Sequence, residues 1–427
     1  MYENLKLRDS LLSLYKKVYL IFQKELHQFN SSNQIDRNHI PIIIGNNIEP
    51  QIKNLPEFNS CVEVMAGDEK IKTIMGKVVG TNGFPIIIQN EERCIIILLT
   101  EAYFSNTDYD LESFEKVYLS FEDFFNSDSI KLKDTSRLYN FSMEGDELDL
   151  GDGVFIRKIG NQNEDPENII ELIDRPDTVF SKSLFVMERY YSRKKIIGNE
   201  HDNETRNSAK SSETGDKFEW IIRALRILKS SGVYRDDHIK TDSITFIPSV
   251  GYASRTDFSF FENTVIGKKC VIESSEIDRF RLIYNSLNKE VIYSSKKKKD
   301  DKDILNRMNI AISRLSFGME RKRIEDKFID YLIGMEALYL PDGNQELRYR
   351  LSLRVAFNLS EKGQRKDTFD FMKRMYDERG HIVHGGKNEL TKDDVLKVEE
   401  LLRKSITLGI FDENVFKTER LDSNFFE

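Results

Sequence analysis

An arginine and two histidines lie close together near the C-terminus, in residues 376–386, which read YDERGHIVHGG. The arginine is Arg379, and the histidines are His381 and His384. Arginine remains cationic at physiological pH, and its planar guanidinium can bind a phosphate through two parallel hydrogen bonds. Histidine is the side chain whose ordinary pKa suits proton transfer near neutral pH. Together, these residue types form a minimal set for cleaving a phosphodiester without a metal.

The pattern on both sides of this stretch is helical. Apolar residues recur at helical spacing over 368–378 and again over 391–408. Thr391 and Asp394 are predicted to form a capping box that starts the second helix. The glycine pair 385–386 is predicted to end the first helix, which would place His384 near a helix end.

The neighbourhood of the motif is basic although the chain is acidic. Residues 345–387 contain ten lysines and arginines against six acidic residues, whereas the whole chain has a net charge of −8. A phosphate-handling site needs such a local excess of positive charge. The negative total argues against a protein that coats nucleic acid, so any contact with nucleic acid is expected to be local.

Two other interpretations of the histidines remain open. Asp377, His381 and His384 are spaced i, i+4 and i+7, so a continuous helix would place them on one face. Two histidines and a carboxylate suit zinc or iron, although Gly380 weakens the helix and the sequence offers no evident fourth ligand. Alternatively, the histidines pack or hydrogen-bond locally at a helix end. We predict neither a metal nor a cofactor.

Composition excludes several classes of protein. The 427 residues are 39% hydrophobic and 32% charged, which is typical of a soluble globular protein of two or three domains. Cys61, Cys94 and Cys270 are far apart, so neither a zinc knuckle nor a disulfide framework is predicted. The N-terminus does not have the form of a signal peptide, and the longest apolar run, 95–99, is too short to cross a bilayer. A cytoplasmic protein without a membrane partner is therefore expected.

Common catalytic motifs are also missing. The sequence has no GxxxxGK[ST] phosphate loop, no GxGxxG after a predicted strand, no HExxH and no GxSxG. These absences argue against the commonest nucleotide-dependent, zinc-dependent and serine-nucleophile enzymes.

The pattern along the chain predicts an α+β fold, with a β-rich N-terminal region followed by an all-α C-terminal bundle. A helix is predicted over 10–29, capped by Asp9 and Ser10. Strands are predicted over 61–66, 71–79, 85–89, 94–99, 115–121 and 154–159, with a loop over 145–153. The polar stretch 198–216 is a predicted linker. Helices over 218–228 and 275–287, and strands over 243–250 and around Val271, follow it.

The C-terminal part is predicted to be a bundle of helices. The lysine-rich stretch 294–302 marks a boundary, with a phosphate-binding arm as the alternative. A long helix or a broken pair reaches Leu338, a further helix covers 346–359, and short connections favour antiparallel packing. The expected domains are 1–200, mostly β and a candidate sensor; 216–292, α+β and a candidate continuation of the first; and 303–427, the bundle.

The section from Asp303 to the end, about a third of the chain, resembles the Apea-like branch of the HEPN domains found in bacterial defence proteins. Three segments carry the resemblance in the same order: IDYLIGMEAL at 329–338, ELRYRLSLRVA at 346–356, and the stretch 376–385. HEPN domains carry an arginine followed, after four to six residues, by a histidine, as Arg379 and His384 do here. The residue after the arginine is often Asn, Asp, Ser or His in that family, whereas Gly380 follows it in this sequence.

The resemblance implies a four- or five-helix bundle that forms a homodimer and brings two Arg–His motifs into one cleft. It also implies metal-independent RNA cleavage, with His384 taking the proton of the ribose 2′-hydroxyl. Arg379 would stabilise the charge of the phosphorane, and His381 would be the partner acid or a second phosphate contact. Glu336 and Arg354 also match the upstream segments, and a buried pair between them is expected to join the first two helices of the bundle.

By the same resemblance, the chain is expected to be an endoribonuclease effector, or toxin, of anti-phage defence by abortive infection. Its partners would be an RNA substrate, with tRNA as one candidate, and an unknown phage-derived trigger. The alternative is a catalytically silent bundle that serves dimerisation or nucleic-acid binding, with the N-terminal region carrying the function.

Overall fold

The computed structural model describes residues 4–30, 44–81, 84–105, 111–159, 184–198, 213–235, 239–244, 246–247, 255–256, 267–293, 299–341, 345–412 and 414–423. The chain divides into two compact units. The first comprises Met1–Asp134, Tyr190–Ser212 and Lys240–Thr256, and the second comprises Thr135–Arg189, Glu213–Ile239 and Asp257–Glu427. The domains predicted from sequence are 1–200, 216–292 and 303–427. Their limits differ from those of the two compact units. The division into these three domains stays a prediction.

The described α-helices are α1 Leu5–Asn30, α2 Glu49–Lys53, α3 Pro56–Ala66, α4 Glu69–Ile74, α5 Glu91–Phe104, α6 Leu111–Asn126, α7 Glu213–Leu228, α8 Ile277–Tyr293, α9 Lys299–Glu320, α10 Ile324–Tyr339, α11 Leu347–Leu359, α12 Arg365–Val383, α13 Lys392–Phe411 and α14 Thr418–Ser423. The described strands are β1 Val78–Thr81, β2 Phe84–Ile87, β3 Ser129–Tyr139, β4 Phe141–Met143, β5 Glu147–Gly151, β6 Val154–Lys158, β7 Phe185–Lys194, β8 Ile196–Gly198, β9 Tyr234–Arg235, β10 Lys240–Ser243, β11 Arg255–Thr256 and β12 Cys270–Ile272. The fold is mixed α+β, as predicted, and its C-terminal part is helical. In the described part of the chain, no helix is both long and apolar enough to cross a membrane.

The first unit is built mainly from helices up to Asn126, so the prediction of a β-rich N-terminal region is wrong there. The predicted helix 10–29 is confirmed as α1, which buries one apolar face. However, α1 begins earlier than predicted, and its cap is not Asp9 or Ser10. The side-chain oxygen of Asn4 accepts a hydrogen bond from the backbone N–H of Leu7 at 2.9 Å, which satisfies a donor at the helix start.

Three of the predicted strands, 61–66, 94–99 and 115–121, are wrong because these residues lie in α3, α5 and α6. In α5, the run from Cys94 to Leu99 is buried on almost every side. A helix that is apolar all round shows no periodicity and therefore resembles a buried strand in sequence. The side chain of Asn90 caps this helix by accepting from the backbone N–H of Arg93 at 2.9 Å.

The strand predicted over 71–79 is wrong except at its end, because α4 covers residues 71–74, a turn follows, and β1 starts only at Val78. The strand predicted over 85–89 is confirmed as β2. In the first unit, β1 pairs antiparallel with both β2 and β8, so the three strands have the order β2-β1-β8. The strand predicted over 243–250 is wrong in its described part, since β10 ends at Ser243. Residues 245 and 248–250 lie outside the described residues.

In the second unit, the loop predicted over 145–153 is wrong, because β5 lies within it and pairs antiparallel with β6. The turn between them uses Asp152 and Gly153, whose φ angles are 52° and 72°. Strand β6 confirms the prediction over 154–159 and also pairs with β7. The strand expected around Val271 is confirmed as β12, which runs parallel to β4. Helices α7 and α8 confirm the predictions over 218–228 and 275–287. The linker predicted over 198–216 is wrong in its described part, since Gly198 ends β8 and α7 begins at Glu213, while residues 199–212 lie outside the described part.

The C-terminal bundle confirms the helical prediction. The long helix is a broken pair, α9 and α10, whose short connection lets the two helices pack against each other. Gly318 permits this close approach, since a Cβ there would overlap the ring of Tyr331. The lysine-rich stretch is described only from Lys299, where α9 begins; residues 294–298 lie outside the described part. The core of the bundle is formed by buried apolar side chains from α9 to α13, including Leu315, Phe328, Leu332, Met335, Val355, Met372 and Leu402.

Candidate active site

The Arg379–His384 motif occupies the end of α12. This helix runs to Val383 and is longer than the predicted 368–378, so Arg379 and His381 are helical and His384 is the C-cap residue. Backbone N–H groups of Gly385 and Gly386 donate to the carbonyls of Ile382 and His381 at 3.3 and 2.7 Å. Gly385 has a φ of +72°, and this combination is the Schellman ending of a helix. The prediction that the glycine pair ends the helix is confirmed.

The arginine and the histidines point in different directions. Each helical residue turns by about 100°, so His381 lies on the opposite side of the helix from Arg379. Asp377 and His381 share one stripe, which His384 continues at the helix end. Both histidines are exposed, whereas only 28% of the Arg379 side chain is exposed. The motif therefore presents a covered guanidinium on one side and two accessible imidazoles on the other.

The side chain of Arg379 packs against α10. Its Nη2 atom lies 3.3 Å from Oε2 of Glu336, and its guanidinium carbon lies 5.9 Å from the ring centre of Tyr376. Its Nε atom is buried and has no hydrogen-bond partner within the described residues. Arg379 thus retains an unused donor although its charge is balanced.

Burial shapes the electrostatics of this group, which we call the arginine cluster (Glu336, Tyr376 and Arg379). Burial raises the pKa of Glu336 above its ordinary value, and the positive charge of Arg379 opposes this shift only in part. Burial also raises the pKa of Tyr376, and the negative charge of Glu336 adds to this effect. The cluster therefore holds a carboxylate in surroundings that disfavour its charge.

The histidines occupy a more open environment. His381 Nδ1 lies 3.9 Å from Oε2 of Glu378, which also accepts a hydrogen bond from the backbone N–H of Glu389 at 3.0 Å. The backbone N–H of His384 donates to the carbonyl of Gly380 at 3.1 Å, which fixes the backbone beneath the exposed imidazole. Both rings can therefore meet a ligand from solution.

The predicted pair between Glu336 and Arg354 is wrong. Arg354 is fully buried and donates through Nε and Nη2 to the carboxylate of Asp422 at 2.8 and 2.7 Å. Its Nη1 donates to the carbonyl of Tyr339 at 2.6 Å. Glu336 instead contacts Arg379. Sequence reasoning missed both partnerships, although a lone carboxylate in the apolar second half of α10 marked Glu336 as unusual.

The structure gives Asp377 another partner as well. It forms an ion pair with Arg348 of α11, although it shares a helix stripe with the two histidines. Among the described residues, no group of three or more His, Cys, Asp or Glu side chains is arranged to hold a metal ion. Every described cysteine is free and buried, which raises the pKa of the thiols.

No protein-family model, curated protein or solved structure matches this chain. The chemistry of α12 and of the residues packed against it is thus the basis for assigning a function.

Proposed function

We propose that the C-terminal bundle is a metal-independent endoribonuclease that uses His384, His381 and Arg379. The observation that carries the proposal is the end of α12, where two accessible imidazoles and a guanidinium lie within six residues of one another. The local excess of lysine and arginine favours a phosphate ligand. The resemblance to Apea-like HEPN domains supports the same reaction.

In the proposed reaction, the His384 imidazole takes the proton of a ribose 2′-hydroxyl, whose oxygen attacks the adjacent phosphorus. The bond to the 5′-oxygen breaks, and that oxygen receives a proton from the His381 imidazolium. The products are a 2′,3′-cyclic phosphate and a 5′-hydroxyl. Arg379 stabilises the negative charge that develops on the phosphorane. DNA lacks the attacking hydroxyl, so the reaction selects RNA.

The directions of the side chains favour a site made by two copies of the chain. Residues 379 and 384 are five apart, which separates their directions by about 140° around the helix axis. A homodimer through the bundle could place the arginine of one copy beside the histidines of the other. The proposal therefore includes a homodimer with both helix ends in one cleft.

The biological setting in this proposal is bacterial anti-phage defence by abortive infection, in the cytoplasm. The resemblance is its support. RNA, with tRNA as a candidate, would be the substrate, and a phage-derived trigger acting on the remainder of the chain would release the activity.

The test is cleavage of total RNA and tRNA by purified full-length protein in the presence of EDTA. Wild-type protein is expected to cut in EDTA, and Arg379→Ala and His384→Ala are each expected to lower the rate by about 100-fold or more. Arg323→Ala, which removes an exposed arginine from the start of α10, is the matched control. Loss of cutting in EDTA would instead favour the alternative with Asp377, His381 and His384 as metal ligands.

One observation favours a second function, a silent bundle for dimerisation or for binding nucleic acid. The guanidinium of Arg379 is already paired with Glu336 and mostly covered, as in a structural ion pair. Such a bundle would bind RNA without cutting it, or only associate with itself. Two results together would support this function over the nuclease. RNA would stay unchanged after long incubation with the dimer, and cells would lose the anti-phage phenotype when the N-terminal region is removed.

A further inference from the structure

A groove in the second unit lies along one side of α13. The helix contributes positions spaced i, i+3, i+4, i+7, i+8 and i+11, from Glu400 to Phe411, which form a continuous stripe. The ends of α7 and α11 and the beginning of α8 form the remaining walls. The groove, which we call the α13 groove, has a volume of about 690 Å³. This is within the range of small-molecule sites, about 300–1,000 Å³.

The lining of the α13 groove includes cationic side chains. Arg279, Arg403 and Lys404 belong to it together with one carboxylate, Glu400. Glu400 lies 2.8 Å from Lys404, so one carboxylate is paired with one ammonium. Arg279 and Arg403 add further positive charge to the lining, with the carboxylate of Glu399 3.8 Å from Arg403 and that of Glu276 within electrostatic reach of Arg279.

Both arginines retain hydrogen-bonding capacity. Arg279 is exposed and makes no hydrogen bond or ion pair with any described residue. Arg403 is only 18% exposed, and its Nη2 lies 3.8 Å from Oε1 of Glu399, which is beyond hydrogen-bond distance. The Nε of Arg403 is buried without a partner in the described part of the chain. An anion bound here would satisfy donors that the protein leaves unused.

The lining of the α13 groove also includes apolar side chains. Leu228, Leu359 and Leu408 belong to it, and Phe411, which is 53% exposed, lies at the C-terminal end of the α13 stripe. An exposed aromatic ring offers a face on which a flat heterocycle can stack. The rise of α13 separates Lys404 from Phe411 by about 10 Å, so a ligand that meets both residues must carry its charge and its flat apolar part about that far apart.

We propose that the α13 groove binds a nucleotide, with its phosphates at Arg279 and Arg403 and its base against Phe411. Guanidinium groups pair with phosphate oxygens through two hydrogen bonds each, so two arginines match a diphosphate better than a single carboxylate. A fatty acid would satisfy the apolar side chains of the groove but would leave one of the arginines without an anion. This site is separate from the end of α12 and does not depend on the proposed nuclease activity.

Isothermal titration calorimetry of full-length protein tests the proposal with four probes: ADP, pyrophosphate, adenosine and laurate. ADP is expected to bind at least about tenfold more tightly than pyrophosphate or adenosine, because only ADP carries both phosphates for the arginines and a base for Phe411. Binding of laurate without binding of ADP would overturn the assignment of a nucleotide. Lack of a saturable signal with ADP up to millimolar concentration would overturn it equally.

Variants locate the bound ADP. Arg279→Gln breaks no described ion pair and is expected to weaken ADP and pyrophosphate about tenfold, but not adenosine. Phe411→Ala is expected to weaken ADP and adenosine, but not pyrophosphate. Arg323→Gln and Phe317→Ala, which change an exposed arginine and an exposed phenylalanine outside the groove, should leave all affinities unchanged.

Arg403→Gln adds a test of the covered arginine, with thermal unfolding used to confirm that the variant is folded. ADP affinity that is the same in wild type, Arg279→Gln and Phe411→Ala would place the nucleotide elsewhere and overturn the proposal. Because the readout is binding, failure of RNA cleavage has no influence on the result.

Discussion

The guanidinium of Arg379 lies 3.3 Å from the carboxylate of Glu336, so the arginine of the motif is already neutralised by a carboxylate of α10. Both side chains are partly exposed, 28% for Arg379 and 21% for Glu336. A phosphate can therefore reach this arginine only by sharing it with Glu336 or by displacing that carboxylate. Glu336 is thus expected to set the strength with which the site binds RNA.

Glu336→Gln is expected to strengthen RNA binding about three- to tenfold, because the glutamine leaves the guanidinium charge for phosphate. The measurement is fluorescence anisotropy with a labelled single-stranded RNA, made in a His384→Ala background so that the RNA stays intact. Glu325→Gln, in the first turn of the same helix, is the matched control. Equal or weaker RNA binding by Glu336→Gln would show that Glu336 holds Arg379 in position and does not compete with phosphate for its guanidinium.

The same substitution should change how stability depends on pH. Burial raises the folded-state pKa of Glu336, so its contribution to stability is present below the ordinary pKa of about 4.3 and is lost as pH rises through the raised value. A glutamine at this position does not titrate, so the Glu336→Gln variant should gain stability relative to wild type over that rise. Urea unfolding midpoints of both proteins, measured in steps from about pH 4 to pH 7, test this. A relative gain on acidification would contradict it.

Part of the fold is predictable from sequence because the apolar residues of an amphipathic helix recur every three to four positions. Helix α1 and the helices from α9 to α13 alternate buried and exposed faces, and their sequences show this period. The run from Cys94 to Leu99 resembles a strand in sequence because it is buried on nearly every side. The strand at Glu147–Gly151 escapes prediction because glycines and acidic residues obscure its alternation of buried and exposed positions.

The candidate site is predictable only where local rules decide it. The glycine pair after His384 supplies the positive φ that a helix ending requires, and it marks that ending correctly. The partners of Arg379 and Arg354 are not predictable, because Glu336 and Asp422 lie 43 and 68 residues away in sequence. Packing of helices brings these residues together, and a single sequence carries no local signal for such pairs.

The pair between Arg354 and Asp422 should be important for the stability of the bundle. Asp422→Asn keeps the size of the side chain but removes the charge that balances a fully buried guanidinium. It is expected to lower the free energy of unfolding by about 1–3 kcal/mol, since Asp422 itself is half exposed. Chemical denaturation followed by far-UV circular dichroism measures this, with Glu419→Gln in the same short helix as control. An effect no larger than that of the control would show that solvent replaces Asp422.

Two glycines of the motif should respond in opposite directions to alanine. Gly380 has helical backbone and open space around its missing Cβ, so Gly380→Ala is expected to stabilise α12 by about 0.5–1 kcal/mol. Gly385 has a φ of +72°, so Gly385→Ala strains the helix ending and is expected to destabilise it by about 1 kcal/mol.

These two variants also separate stability from function. Gly385→Ala should displace His384 and lower RNA cleavage more than the loss of stability explains, whereas Gly380→Ala should keep cleavage near the wild-type rate. Thermal unfolding and initial cleavage rates, measured on the same preparations, test both expectations. Cleavage that follows stability in both variants would mean that the ending of α12 only holds the bundle together and does not position His384 for chemistry.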